Sequence, residues 1–314
     1  MISFNITAKL RLSLSAALIF FISPKHYPTK LVDYSYLTVK SSVLDSRHTQ
    51  SLINLLRQTH HAEWEATPSA QDAIAWLNDL VSFLFPGNHL PKQTSYKGIL
   101  KKNQIDLENI LLSYLDPQEV PIEDIANAFY NSLGTIYQHL RHDATKIHEY
   151  DPAATSVNEV IVSYPGFYAI TVYRIAHRLT QLQVPVLPRI ISEFAHGKTG
   201  IDIHPNAQID VPFIIDHGTG IVIGATSIIG ANVVIYQGVT LGALQVTKEL
   251  SEVKRHPTVE DDVVIYARST ILGGNTTIGK GSIIGGSVFI TKSVPPFSQV
   301  FNTHQVRITT KTVS

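Results

Sequence analysis

Residues 201–240, which read IDIHPNAQIDVPFIIDHGTGIVIGATSIIGANVVIYQGVT, repeat a hydrophobic pattern every six residues. β-Branched aliphatic residues fill six of seven successive positions at this spacing, which are Ile203, Ile209, Ile215, Ile221, Ser227, Val233 and Val239. A period of six is neither the 3.6 residues of an α-helix nor the two residues of a strand. It is typical of a parallel β-helix, in which each hexapeptide forms one short face and three hexapeptides form one coil.

The same spacing resumes after residue 258. Its positions there are Val259, Ile265, Ile271, Thr277, Ile283 and Phe289. We expect each of these side chains to point inward, with a small residue in the tight corner four places later. The two runs together predict about four coils, whose stacking buries a continuous core.

A loop interrupts the regular pattern. The interval from Val239 to Val259 is not a multiple of six, so the frame slips between them. The sequence therefore predicts an excursion over residues 243–256, which carries Lys248, Glu249, Lys254 and Arg255. Polar loops on a rigid scaffold are common places for functional residues.

Apolar residues at helical spacing dominate the part of the chain before the repeats. These stripes lie at residues 52–56, 73–84, 110–115, 122–140 and 169–179, and the stripe at 110–115 predicts a short helix. We predict an α + β protein with a helical domain at 31–196 and a β-helix domain at 197–300. Residues 1–30 and 301–314 are predicted to be tails.

The composition excludes several classes of site. The 314 residues include no cysteine, so disulfides, cysteine-ligated zinc and a cysteine nucleophile are impossible. Lys and Arg total 25, as do Asp and Glu, which gives no reason to expect a nucleic-acid or membrane partner. The apolar run at 12–22 resembles a signal peptide but lacks a good cleavage site and is too short to span a membrane. We therefore expect a cytoplasmic protein.

Several short motifs resemble those of one family, serine O-acetyltransferase. Within or beside the repeats these motifs are Asp202-Ile203-His204-Pro205, Asp216-His217-Gly218-Thr219-Gly220, Val239-Thr240-Leu241-Gly242 and Arg255-His256-Pro257. In the helical region they are Asp151-Pro152-Ala153 and Gly166-Phe167, followed by Tyr173-Arg174-Ile175. The resemblance covers roughly residues 150 to 300. It implies a left-handed β-helix and the synthesis of O-acetylserine for cysteine production.

A histidine is the residue type that this reaction needs. A neutral alcohol is a weak nucleophile, and an imidazole can accept and return a proton near neutral pH. His217 is our candidate base, and the resemblance implies that Asp202 is its partner in a catalytic dyad. Since Asp202 precedes His217 by slightly less than one coil, we expect the two to be neighbours on adjacent coils.

Serine carries a carboxylate and an ammonium group, so its site must match both charges. Arg255 suits the carboxylate through bidentate hydrogen bonds. By resemblance, Asp151 and Asp216 suit the ammonium group, with Pro152 in the same motif, and His256 holds the hydroxyl or the developing tetrahedral centre.

Acetyl-CoA is the implied co-substrate, with no metal. The resemblance places CoA in a groove between two subunits of a homotrimer, on the main chain of Gly242, Ala243 and Ala267. The helical region has little detailed similarity to the forms that join two trimers, so a hexamer is not predicted. The family's C-terminal Ile, which inserts into cysteine synthase, is replaced by Ser314, so a complex with that enzyme is not predicted.

Two alternatives remain open. Another hexapeptide O-acetyltransferase, acting on a sugar or a xenobiotic, would also use a histidine base, although without this charge clamp. A γ-class carbonic anhydrase shares the fold, and it would need a zinc ion on three histidines such as His204, His217 and His256.

Overall fold

The structure is a computed structural model that describes residues 47–63, 67–87, 95–244 and 253–303. The chain divides into two compact units, residues 1–58 and 59–314. Of the first unit only residues 47–58 are described, and they belong to a helix. All the other described helices and strands belong to the second unit.

Seven helices occupy the described residues before position 200. They are α1 Arg47–Glu63, α2 Ala70–Leu84, α3 Tyr96–Leu112, α4 Ile122–Tyr150, α5 Val157–Ser163, α6 Pro165–Gln181 and α7 Leu187–Thr199. Ser69, Ser95 and Ser156 cap α2, α3 and α5, because each side chain accepts a hydrogen bond from the amide three residues later. None of the helices in the described ranges is both long enough and apolar enough to cross a bilayer.

Helix α3 is much longer than the short helix predicted at 110–115. Its first half lacks an apolar stripe because the buried position there is a polar residue, Asn103. The Asn103 amide donates to the carbonyl oxygen of Trp76 (3.2 Å) and accepts from the Tyr130 hydroxyl (2.6 Å). A hydrophobic pattern cannot detect a helix that buries a hydrogen-bonded asparagine.

Fourteen short parallel strands follow in the described residues and form three sheets. The first sheet contains β1 Asp202–Ile203, β4 Val222–Ile223, β7 Thr240–Gly242, β10 Thr270–Leu272 and β13 Phe289–Ile290. The second contains β2 Gln208–Ile209, β5 Ile228–Ile229, β8 Thr258–Val259 and β11 Thr277–Ile278. The third contains β3 Phe213–Asp216, β6 Val233–Tyr236, β9 Val264–Ile265, β12 Ile283–Ile284 and β14 Gln299–Val300.

This arrangement is a parallel β-helix, and the predicted fold class is confirmed. The chain visits the three sheets in rotation, and each strand pairs with the strand one coil further on. In the first sheet the buried positions stack in one ladder, which is Ile203, Ile223, Leu241, Ile271 and Ile290. The ladder supplies the continuous apolar core that the period of six predicted.

The regular frame is wrong in detail, because the coils differ in length. The pair Asp202–Val222 makes the first coil slightly longer than three hexapeptides, and the pair Val222–Thr240 makes the second equal to three. The pair Thr240–Thr270 makes the next coil much longer, since it contains the predicted loop, of which residues 245–252 lie outside the described part. The coil from Thr270 to Phe289 again exceeds three hexapeptides. The last three predicted inward positions, Thr277, Ile283 and Phe289, are therefore wrong by one residue, and Ile278, Ile284 and Ile290 are buried in their place. Phe289 is 67% exposed.

The number of coils is also higher than the four predicted. The first and third sheets have five strands each, because β14 adds a strand beyond the last frame position. The predicted domain division stays a prediction, as do the tails at 1–30 and 301–314. The signal-like run at 12–22 lies outside the described residues.

Helix α6 fixes the helical layer against the β-helix. A Cβ atom at Gly166 would lie 2.7 Å from the carbonyl oxygen of Ile215, so only glycine allows this close approach to β3. The buried Arg174 guanidinium holds the Asp143 carboxylate of α4 with two hydrogen bonds of 2.6 and 2.9 Å. Asp143 also accepts from the amide of Phe213 (2.9 Å), so one ion pair joins two helices to the strand that leads to the candidate site.

Candidate active site

Asp216 and His217 lie where the third sheet leads into the first, a turn that we call the His217 corner. Asp216 ends β3, and the His217 side chain is 72% exposed with Nε2 3.7 Å from Asp216 Oδ1. His217 has a φ of +59°, which matches Arg268 and Ser287 at the same corner of later coils. The left-handed conformation is therefore how the coil turns here, and it directs the His217 imidazole outward to solvent.

Asp151 faces the same corner from the end of α4. Its Oδ2 accepts a 2.6 Å hydrogen bond from the Tyr164 hydroxyl, and its Oδ1 accepts from the Ala153 amide at 2.8 Å. These two bonds lower the pKa of Asp151, and the nearby His217 lowers it further. The same contact with Asp151 raises the pKa of Tyr164 to about 12. The site therefore holds an ionised carboxylate in a fixed orientation.

The side chains of three tyrosines, Tyr150, Tyr236 and Tyr266, lie together beside Asp216. Tyr236 is directly in register with Asp216 on the next coil, and its hydroxyl lies 3.1 Å from that of Tyr150. The Tyr266 ring stacks on Tyr236 with centroids 5.0 Å apart. Burial raises the pKa of Tyr236, so this hydroxyl stays protonated and can donate a hydrogen bond.

Arg255 and His256 lie at a different turn, where the first sheet leads into the second, which we call the His256 corner. Thr226, one coil earlier, holds both residues, because its Oγ1 accepts from the amides of Arg255 (2.9 Å) and His256 (3.0 Å). Lys254 Nζ donates to the carbonyl oxygens of Thr226 (2.7 Å) and Pro257 (3.2 Å). These hydrogen bonds hold the C-terminal end of the predicted loop, residues 254–256, against the preceding coil of the β-helix.

His256 is only 8% exposed, and its ring occupies the space that a side chain at Gly224 would fill. A Cβ atom at Gly224 would overlap His256 Cδ2, so any other residue there would displace the ring. Burial, then the positive charges of Arg255 and Lys254, lower the pKa of His256 to about 4. Burial and the charge of Arg189 likewise lower the pKa of His204, at the same corner, to about 4. Both imidazoles are therefore neutral near pH 7.

Asp202 does not meet His217 within the chain. The first coil is longer than three hexapeptides, and the residue beside Asp202 on the next coil is Val222. Among the described residues, no hydrogen bond or ion pair joins Asp202 to His217, and the carboxylate paired with His217 is that of Asp216.

Asp202 instead lies beside α7. Glu193, His196 and Asp202 each place one ligand atom within 4.8 Å of the others, so this group of described residues could hold a cation. Glu193 also forms an ion pair with Arg189, which competes for its carboxylate. The predicted absence of a metal stays a prediction.

The predicted CoA contacts, like the predicted serine contacts, are divided between the His217 corner and the His256 corner. Gly242 and Ala243 lie at the end of β7, beside the His256 corner, whereas Ala267 lies at the His217 corner next to Tyr266. A single chain thus presents the predicted serine and CoA contacts as two separate half-sites, one at each end of the first sheet.

Sequence reasoning missed the residues that hold the predicted ones in place. Thr226 binds partners 29 and 30 residues further along, and Tyr164 binds one 13 residues earlier. No local pattern identifies Thr226. Gly224 gave a weak signal, because a glycine directly after a buried strand residue, Ile223, can mark a close approach to another part of the chain.

Comparison with known proteins gives a consistent result. No protein-family model matches the chain. It is 43% identical over 222 residues to a plasmid-encoded serine acetyltransferase of Synechococcus elongatus, and the match covers 67% of this chain and 69% of that protein.

Two solved structures extend the similarity to the fold. The structure of Entamoeba histolytica serine acetyltransferase 1 in complex with L-cysteine is 33% identical, with a TM-score of 0.67 over 80% of this chain and 97% of that one. A serine acetyltransferase in complex with CoA is 28% identical, with a TM-score of 0.52 over 74% and 96% of the two chains.

Proposed function

The chain belongs to the serine acetyltransferase family, and from this membership we propose that it acetylates the hydroxyl of L-serine by direct transfer from acetyl-CoA, with His217 as the general base. The proposed mechanism rests on the arrangement of charged groups at the His217 corner. There an accessible imidazole lies 3.7 Å from the Asp216 carboxylate and close enough to Asp151 to lower the pKa of that carboxyl group. Such a group can take a proton from an alcohol and keep the resulting imidazolium stable.

The proposed reaction is a single displacement in a ternary complex. His217 takes the proton of the serine hydroxyl as its oxygen attacks the thioester carbonyl carbon. The tetrahedral intermediate collapses with cleavage of the carbon–sulfur bond, and the proton on His217 passes to the departing thiolate. The products are O-acetyl-L-serine and CoA.

Recognition of serine uses both half-sites. Asp151, fixed by Tyr164 and Ala153, and Asp216 bind the ammonium group. Arg255, whose amide is anchored on Thr226, binds the carboxylate. Each half-site alone matches only one of the two charges of the amino acid.

We propose that two copies of the chain complete the site. The His217 corner of one subunit would face the His256 corner of its neighbour, which brings the ammonium-binding and carboxylate-binding groups together. Head-to-tail contacts of this kind can close a ring, and the family resemblance gives three subunits as the number, so we propose a homotrimer. CoA would then lie in the groove between subunits, in contact with Ala267 of one and with Gly242 and Ala243 of the other.

A steady-state assay with acetyl-CoA tests the activity. We expect thiol release that depends on L-serine, together with O-acetylserine in stoichiometric amount. Thiol release with a sugar or xenobiotic hydroxyl and none with L-serine would overturn the substrate assignment. Stoichiometric zinc in the purified protein, with bicarbonate formation from carbon dioxide, would favour the carbonic anhydrase alternative.

Variants of the His217 corner test the mechanism. We expect His217→Ala to keep its fold and trimeric mass while kcat falls about 100-fold or more, the usual contribution of a general base. An unchanged kcat would exclude His217 as the base. Comparing kcat of Asp202→Asn with that of Asp216→Asn then identifies the carboxylate that orients the imidazole, since loss of the orienting carboxylate should lower kcat and loss of a carboxylate that only binds the ammonium group should chiefly raise the KM for serine.

A further inference from the structure

Thr226 and His256 form a closed hydrogen-bonding unit at the His256 corner. The Thr226 amide points at His256 Nδ1 over 3.1 Å, and Thr226 Oγ1 lies 2.9 Å from the same nitrogen. Oγ1 also receives the amides of Arg255 and His256. Four hydrogen bonds thus connect one threonine to two consecutive residues of the next coil.

The donor and acceptor capacities of these atoms allow only one arrangement. A backbone N–H can only donate, so His256 Nδ1 must accept from Thr226 and cannot carry a proton. The two lone pairs of Thr226 Oγ1 are taken by the two amides, so its hydroxyl hydrogen is directed to Nδ1, whose single lone pair is shared between this hydroxyl and the Thr226 amide. A proton on Nδ1 would face one donor and an oxygen whose acceptor sites are filled.

We propose that Thr226 is a positioning residue that fixes the tautomer of His256 with its proton on Nε2, so that the ring acts only as a hydrogen-bond donor towards the substrate oxygen that the family resemblance already assigns to it. His256 is therefore not a second base. This inference rests on the proposed function for the identity of the substrates, whereas the tautomer itself follows from the contacts alone.

The surroundings of the ring support this assignment. The Cδ2–Nε2 edge lies over Gly224, where the absent Cβ leaves space for it. Among the described residues, the charged or titratable groups that act on the ring are Arg255, Lys254 and His204, and each of them disfavours a second proton. A neutral imidazole with one defined N–H is already oriented to donate to a developing oxyanion, because it needs no rearrangement during the reaction.

Nuclear magnetic resonance of the full chain tests the tautomer directly. Histidine labelled with 15N, observed through long-range proton–nitrogen correlations at pH 7, distinguishes a proton on Nε2 from one on Nδ1. His256→Gln identifies the His256 signals by their loss. We expect the Nε2–H form, and a predominant Nδ1–H form would overturn the proposal whether or not the protein acetylates serine.

Two pairs of variants test the role in catalysis. The side-chain amide nitrogen of a glutamine at this position can reach the place of Nε2, whereas that of an asparagine reaches only the place of Nδ1. His256→Gln should therefore retain at least about tenfold more kcat than His256→Asn. Thr226→Val should lower kcat about tenfold and Thr226→Ser should restore it, because only serine keeps the hydroxyl.

The pH profile separates a donor from a base. If His256 only donates, kcat of the His256→Gln variant falls uniformly and keeps the shape of the acid limb. A disappearance of an ionisation from the profile of this variant would overturn the donor role, while leaving the assignment of serine acetylation intact. Equal kcat values for the Gln and Asn variants would overturn it as well.

Discussion

The Tyr164 hydroxyl donates a 2.6 Å hydrogen bond to Asp151 Oδ2, while the other oxygen of that carboxylate accepts from the Ala153 amide. Tyr164 directly precedes α6, the helix that packs on β3, whereas Asp151 directly follows α4. The orientation of a proposed ammonium-binding carboxylate is therefore set by the packing of two helices on the β-helix.

Removing this hydrogen bond should weaken serine binding. We expect Tyr164→Phe to raise the KM for L-serine about threefold to tenfold, since Asp151 keeps its charge but loses one fixed oxygen. The KM for acetyl-CoA and the kcat should change little. Steady-state kinetics measure all three, with Tyr96→Phe at an exposed position as the control. An unchanged KM for serine would contradict a role for the hydrogen-bonded Asp151 carboxylate in binding the ammonium group.

Adding one methyl group at Gly224 should displace His256. The new Cβ would overlap His256 Cδ2, so the ring must move. We expect kcat/KM for serine to fall up to about 100-fold, the effect of a displacement of about 1 Å at a reacting centre. Gly197→Ala is the matched control, because a Cβ there meets nothing within 4 Å. Equal activity of the two variants would contradict a role for the His256 position.

The buried ion pair between Asp143 of α4 and Arg174 of α6 should contribute more to the free energy of unfolding than an exposed ion pair does. Asp143 is fully buried, so Asp143→Ala leaves an unpaired buried guanidinium and should lower the free energy of unfolding by about 3–5 kcal/mol. Chemical denaturation measures the change. Asp79→Ala, which removes an exposed partner of Lys102, should change it by less than about 1 kcal/mol. Similar values for both variants would refute this ranking.

Two buried serines of the β-helix should respond in opposite directions to substitution. Ser269 Oγ donates to the carbonyl oxygen of Gly285 (2.7 Å), so Ser269→Ala should destabilise the protein by about 1 kcal/mol. Ser227 Oγ is equally buried and has no hydrogen-bond partner among the described residues, so Ser227→Ala should be neutral or stabilising by up to about 1 kcal/mol. Thermal unfolding of both variants measures the difference, and a destabilised Ser227→Ala would contradict it.

Acid should destabilise the protein through His204 and His256. Both have a folded pKa of about 4, against 6.5 for a free imidazole, so the unfolded chain binds protons first as the pH falls. Their contribution to stability is complete above about pH 6.5 and is lost between that value and about pH 4. The melting temperature of the His204→Gln, His256→Gln double variant should fall less steeply across this range. An equal slope would assign the acid sensitivity to other groups.

The sequence alone determined the architecture and the chemical types at the site. A period of six depends only on which side chains point inward along each short face, and that alternation is a local property of the strand. Ile203, Ile209 and Ile215 therefore predicted the β-helix before any long-range contact was known. The short motifs likewise supplied His217, Arg255 and His256 as candidates.

Only the tertiary structure decided which residues meet. Contacts between coils depend on coil length, and coil length depends on how many residues each corner and loop inserts. This is why Val222, and not His217, lies beside Asp202, and why Thr226 reaches His256 across the predicted loop. The periodicity of the sequence predicts whether each side chain points inward or outward. Which residues of adjacent coils become neighbours depends on the number of residues in the chain between them.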